Sequence, residues 1–316
     1  MAMFVGLAGL TACRGHERTT TDARRSETTR DETGAPAAVT APTEYDEALV
    51  FFGTEDGPTT ALAVDFSNYA SFDGLHRRYR GWLLDRAGWH PILDDERRDA
   101  PTRAPWRIMP TDTLRLVVSE DGDVDAFVFR SRTTPLELDL GDRVEGWEDR
   151  GGARHELRWA QLGGRSERLN GIVVQRRLAI ERPSRPGSFR PLQTAVLKTP
   201  EGTVLVLFDS AEPDALGESF AWMYDDGLTR HWTAIETRTV EVANAPELRR
   251  NIPIRIWFRV PEPDIKGELA ATARLLDETP TDRGPKPYLA LYRVRGWVEF
   301  GGERRNVEGV LQHSEP

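Results

Sequence analysis

The chain has a single cysteine in 316 residues, so it cannot close a disulfide within itself. Lysine is nearly as scarce, occurring only at positions 198, 266 and 286, and arginine carries the remaining positive charge. The net charge is −9 and no Lys/Arg-dense stripe stands out, which argues against nucleic acid as a partner. The six histidines, at 16, 76, 90, 155, 231 and 313, include no pair at metal-ligand spacing. His155-Glu156 lacks the second histidine of a zinc-protease helix, so no metal or other cofactor is expected. Helical periodicity is weak throughout. No apolar run reaches the roughly 20 residues that a membrane-spanning helix needs.

What is present begins with a short apolar run, Met1 to Leu10, closed by Leu10-Thr11-Ala12-Cys13. Its length suits the apolar region of a secretory signal, about 7–15 residues. A run of small and apolar residues ending Leu-x-Ala-Cys resembles the lipobox of bacterial lipoproteins. That resemblance implies cleavage before Cys13, lipidation of Cys13, and a lipid-anchored place in the bacterial cell envelope, facing the periplasm or the outside. Residues 14–44 are rich in Thr, Arg, Asp, Glu, Ala and Pro and nearly devoid of large apolar side chains. Such a segment cannot bury enough surface to offset its ordering entropy, and it reads as a disordered tether of roughly 30 Å reach.

From Tyr45 onward the pattern is strand and turn. Ala48–Phe52 is followed by Thr54-Glu55-Asp56-Gly57 and then Thr60–Phe66. Leu114–Ser119 turns at Glu120-Asp121-Gly122 into Val124–Arg130, and Ala195–Lys198 turns at Pro200-Glu201-Gly202 into Thr203–Asp209. Phe220–Tyr224 turns at Asp225-Asp226-Gly227 into Leu228–Ile235. Asp-Gly pairs tolerate the positive φ of tight hairpins. Ile252, Ile254, Ile256, Phe258 and Val260 share one face of a strand, with Arg255 and Arg259 on the other. Tyr288, Ala290, Tyr292, Val294, Val298 and Phe300 repeat the arrangement opposite Arg293, Arg295 and Glu299. Such period-two patterning indicates antiparallel sheet. Leu75–Ala87 fits either a helix or, with Trp82, Gly88 and Trp89, a hairpin.

An internal repeat organises these strands. Trp159-Ala-Gln-Leu162-Gly163-Gly164 recurs as Trp297-Val-Glu-Phe300-Gly301-Gly302, and Gly171 matches Gly309 at the same offset of 138 residues. Two closing hairpins one domain-length apart suggest a duplicated β unit. Pro183 and Pro186 mark the boundary. The expected architecture is all-β. A signal (1–13) and a tether (14–44) precede two similar antiparallel β units, 45–183 and 187–316, of eight or nine strands each, which fit barrels or sandwiches. An eight-stranded barrel has room for one small ligand.

The second unit also resembles a known family. Asp225-Asp226-Gly227 leading to His231-Trp232, the strand Ile252-Pro253-Ile254-Arg255-Ile256-Trp257-Phe258-Arg259-Val260-Pro261, and the hairpin Gly296–Gly309 are similar to the two-domain carotenoid 1,2-hydratase and AttH-like proteins. The resemblance implies two tandem lipocalin-like antiparallel β-barrels side by side and, in its enzymes, a proton donor after the glycine that closes the first barrel. Here Gly171 is followed by Ile-Val-Val-Gln175-Arg176-Arg177, with no acid. Adding water to an isolated double bond needs a positioned acid, so binding is favoured over hydration.

The aromatic cluster of the second unit is the expected ligand wall, with Tyr224, Trp232, Arg255, Trp257, Tyr288 and Tyr292 as binding candidates. The expected partner is a hydrophobic or amphipathic small molecule or lipid, beside the membrane that the anchor would reach. The alternative is a hydratase or isomerase acting on an isoprenoid or lipid, with Asp226 or His231 as proton donor; a structural module of the envelope is a third reading.

Overall fold

The computed structural model describes residues 41–316 apart from 56, 101, 103, 121, 131–134, 149–151, 165–167, 184–188, 190, 210–218 and 226. The expected lipidation site Cys13, the tether up to residue 40, and Asp226 lie outside the described residues. The described residues belong to one compact unit.

The unit is all-β. Nine strands make a first antiparallel sheet: β1 (Thr43–Gly53), β2 (Ala61–Ser71), β3 (Gly74–Asp85), β4 (Gly88–Asp99), β5 (Leu114–Val118), β6 (Val124–Arg130), β7 (Pro135–Glu148), β8 (Arg154–Gly163) and β9 (Arg168–Glu181). Nine more make a second: β10 (Leu192–Lys198), β11 (Val204–Asp209), β12 (Ser219–Asp225), β13 (Leu228–Trp232), β14 (Glu236–Ala245), β15 (Arg250–Val260), β16 (Ile265–Glu278), β17 (Tyr288–Phe300) and β18 (Glu303–Glu315). Leu75–Ala87 is resolved as a strand, β3, which turns at Arg86-Ala87 and pairs with β4.

The two sheets are wired identically. Each meanders outward from its first strand, and its last strand returns to pair with that first one, giving β4-β3-β2-β1-β9-β8-β7-β6-β5 and β13-β12-β11-β10-β18-β17-β16-β15-β14. The duplicated hairpins are β8–β9 and β17–β18. Their pairing differs by four positions: Trp159 faces Ile172, whereas Trp297 faces Asn306 and not Val310. The second hairpin turns on Gly301-Gly302 alone, while the first spans residues 164–167. A slip by an even number keeps every side chain on its own face. The matched glycines mark close approach of the first and last strands. A Cβ at Gly171 would stand 2.4 Å from the Phe52 carbonyl oxygen, and one at Gly309 would stand 2.1 Å from that of Val196.

Each sheet rolls around its own core. In the first, Leu49, Phe51, Leu62, Val64, Phe66, Tyr79, Phe127, Phe129, Leu138 and Val173 meet in one cluster, which draws residues from all nine strands. In the second, Leu197, Leu205, Met223, Ile256, Phe258, Leu269, Tyr288, Tyr292 and Val294 do the same. No ladder joins β4 to β5 or β13 to β14 among the described residues, so each roll keeps one open seam. The rolls pack back to back through their convex faces, with Val50, Phe52, Ile172 and Val174 against Val196, Val206, Trp222 and Val310. This accounts for the runs Leu49–Phe52 and Val204–Phe208, which are apolar at successive positions: both faces of these strands are buried.

Candidate functional site

A cavity of about 790 Å³ lies in the first sheet, within the roughly 300–1,000 Å³ typical of small-molecule sites. Phe66, Ile108, Leu116 and Val124 form its apolar wall. Residues 106–110, between β4 and β5, also line it. Two side chains from the concave face hold this crossing segment in place. Asn68 Nδ2 donates to the carbonyls of Pro105 and Arg107, each at 3.0 Å. Tyr79 Oη donates to Asn68 Oδ1 at 2.9 Å and accepts from the Met109 amide at 3.1 Å. Burial and these bonds occupy both residues, and burial pushes the Tyr79 phenol up from its usual value. Trp106 stands at the mouth, 58 % exposed, edge-on to Tyr45 with ring centroids 6.5 Å apart.

The remaining wall is polar. Glu47 on β1 faces Arg177 on β9, and Arg177 Nε lies 3.4 Å from Glu47 Oε2. Gln175, two residues earlier on the same face of β9, donates from Nε2 to Glu47 Oε1 at 2.6 Å. Burial raises the Glu47 carboxyl, Glu156 nearby adds to the rise, and Arg177 and Gln175 oppose it. At the rim Arg154 Nε meets Glu148 Oε2 at 3.3 Å. The arrangement offers an apolar surface with one hydrogen-bonding cluster inside it, the composition that lets a pocket bury a hydrocarbon skeleton and orient it by a polar group.

The residues singled out in the second unit do not converge on one pocket. Tyr288 and Tyr292 are fully buried on the concave face, where they fill the core, and burial pushes both phenols up. Trp232 packs partly against the same core. Tyr224 lies on the convex face at the contact between the rolls, edge-on to Trp159 at 5.1 Å. Arg255 and Trp257 project from the convex face of β15. Arg255 pairs with Glu241 at 3.5 Å and Glu268 at 3.7 Å, and Trp257 lies under the Arg238 guanidinium at 4.9 Å. His231 is exposed on β13 and stacks beside Trp147 at 6.4 Å. The cavity found within the second roll holds only about 10 Å³, too small for more than a water.

Sequence reasoning missed Glu47, Gln175 and Arg177. A signal was available: β9 presents Val173 to the core and then Gln175 and Arg177 on the same face, with no turn between. An inward row that changes from apolar to polar within one strand marks the floor of a polar opening.

The same rolls occur in solved structures. A kievitone hydratase from Nectria haematococca superposes with a TM-score of 0.54 at 8% identity, over 87% of this chain and 89% of that one. A putative AttH from Nitrosomonas europaea superposes with a TM-score of 0.54 at 12% identity, over 86% and 92%. At such identities the likeness is one of fold: a lipocalin-like pair of antiparallel β rolls. No protein-family description and no curated protein matches the chain.

Proposed function

We propose that this protein binds a hydrophobic or amphipathic small molecule in the cavity of its first roll. The observation that carries the reading is the 790 Å³ space itself, apolar along Phe66, Leu116 and Val124 and polar at Glu47 and Arg177. Filling it tests the reading. Val124→Trp should abolish uptake of a long-chain alkyl probe, measured by titration calorimetry, while leaving the unfolding midpoint within a few degrees. Undiminished uptake would place the ligand elsewhere.

One observation favours a second reading. Glu47 is an interior carboxyl, raised by burial and lining the cavity, and it could supply the acid that the sequence lacks after Gly171. An enzyme of hydratase type would return an unsaturated isoprenoid probe hydrated, and Glu47→Gln would end that turnover. A binder would return the probe unchanged.

Membrane anchoring through Cys13 belongs to the same proposal. It rests on Leu10-Thr11-Ala12-Cys13 and on the apolar run before it. Metabolic palmitate labelling of the full-length gene product in a bacterial host should mark the wild type and not Cys13→Ser; equal labelling of both would end the idea. An anchored pocket would sit where apolar ligands are concentrated.

A further inference from the structure

We propose that the ligand of the first roll carries a hydroxyl group, as an alcohol or phenol on an apolar skeleton, and that Gln175 and Arg177 receive it. This deepens the binding reading above and rests on it.

The argument starts from hydrogen-bonding capacity. Gln175 is 1 % exposed. Its Nε2 is used, donating to Glu47 at 2.6 Å, while its Oε1 has no hydrogen-bond partner among the described residues. A buried acceptor without a donor is unfavourable, and this one belongs to the side chain that holds Glu47, a cavity-lining residue. A ligand that brings a donor to this cluster removes the cost.

Charge then narrows the class of head group. The cationic groups of the wall are already matched, Arg177 by Glu47 and Arg154 by Glu148. A carboxylate or phosphate head would have to displace one of these carboxylates or lie against it. Arg107 is exposed on the crossing segment, where an ion pair contributes little. An ammonium head would face Arg177. A neutral head remains, and of the neutral groups a hydroxyl both gives and accepts a hydrogen bond. It can donate to Gln175 Oε1 and accept from the guanidinium of Arg177, which stays charged and carries five N–H donors, more than its pairing with Glu47 uses. An ether or ester of the same skeleton cannot donate.

The test uses three probes of one chain length, decan-1-ol, its methyl ether and decanoate, titrated calorimetrically into the purified full-length protein. The alcohol should bind about tenfold more tightly than either of the others, as expected when one buried hydrogen bond decides. In Gln175→Met, which keeps the shape and removes the acceptor, alcohol and ether should bind alike and the ether affinity should not change. Equal binding of alcohol and ether by the wild type, or tighter binding of decanoate, would overturn the proposal while leaving a ligand-binding cavity. Failure of all three to bind would overturn the binding reading itself, and the proposal with it.

Discussion

Replacing Trp222 by alanine should cost the folded protein about 3–5 kcal/mol, the range for emptying a large aromatic site in a core. Trp222 is fully buried, and it belongs to neither roll's own core. It lies on the convex face of β12 among Val50, Phe52, Val196 and Val310, with Tyr224 stacked beside it at 6.2 Å. Its indole nitrogen makes no hydrogen bond among the described residues, so the loss is one of packing. Residues from both sheets surround the gap, so the effect should reach both rolls. Urea unfolding followed by far-ultraviolet circular dichroism should show one transition at a lower midpoint. Trp106→Ala supplies the contrast: that side chain is largely exposed, and its removal should change stability by no more than about 0.5 kcal/mol. A Trp222→Ala protein as stable as the wild type would mean that the convex contact does not hold the rolls together.

That contact also explains what the sequence disclosed and what it concealed. Hairpins were legible because their turns need particular residues: Gly122, Gly202 and Gly227 all take positive φ between paired strands. The duplicated wiring was legible through Trp159 and Trp297 and through Gly171 and Gly309, which a close strand crossing requires. The position of the site was not. Aromatic density pointed to the second unit, but alternation divides those side chains between faces. Tyr288 and Tyr292 turn inward as filling, while Tyr224 and Trp257 turn outward. Composition does not tell an inward tyrosine that fills a roll from one that lines a pocket. The crossing segment at 105–110 has no periodicity, and its place is set by Asn68 and Tyr79, distant in sequence. A polar side chain facing inward, such as Glu47, has the same pattern as one facing water until the strand's partners are known.

The second large effect is on pH dependence, and it too arises between the rolls. A polar gap of about 40 Å³ there is lined by Asp46, Asp65, Ser67, Arg78 and Arg176 of the first roll and by Gln312 and Ser314 of the second. Burial raises Asp46 to about 7, with Glu44 and Asp65 adding to the rise and Ser67 and Arg176 opposing it. Burial raises Asp65 to about 6, with Arg78, Arg80 and Arg176 opposing and Asp277 adding. Across the contact, Asp277 of β16 pairs with Arg80 and lies 3.7 Å from Arg78, whose Nη1 also donates to Thr279 at 3.2 Å. In the unfolded chain an aspartate releases its proton near 3.9. Between that value and about 7 the folded form therefore holds protons that the unfolded form has lost, so stability falls as pH rises through this window. Acidification from pH 8 to pH 5 should strengthen the folded unit, opposite to the usual behaviour of salt-bridged carboxylates. A tenfold gain in proton affinity on folding corresponds to about 1.4 kcal/mol, so the two carboxyls together should change stability by several kcal/mol. Asp46→Asn combined with Asp65→Asn, which keeps the shape and removes the charge, should be more stable than the wild type at pH 8. Its unfolding free energy, from urea titrations at half-unit steps, should fall much less steeply between pH 5 and pH 8 than that of the wild type, with Glu47, also raised by burial, left to contribute. A wild-type profile that rises with pH across the same window would show that these two carboxyls are ionised and well paired in the folded protein, and that the contact between the rolls is held by charge and not by protonated acids.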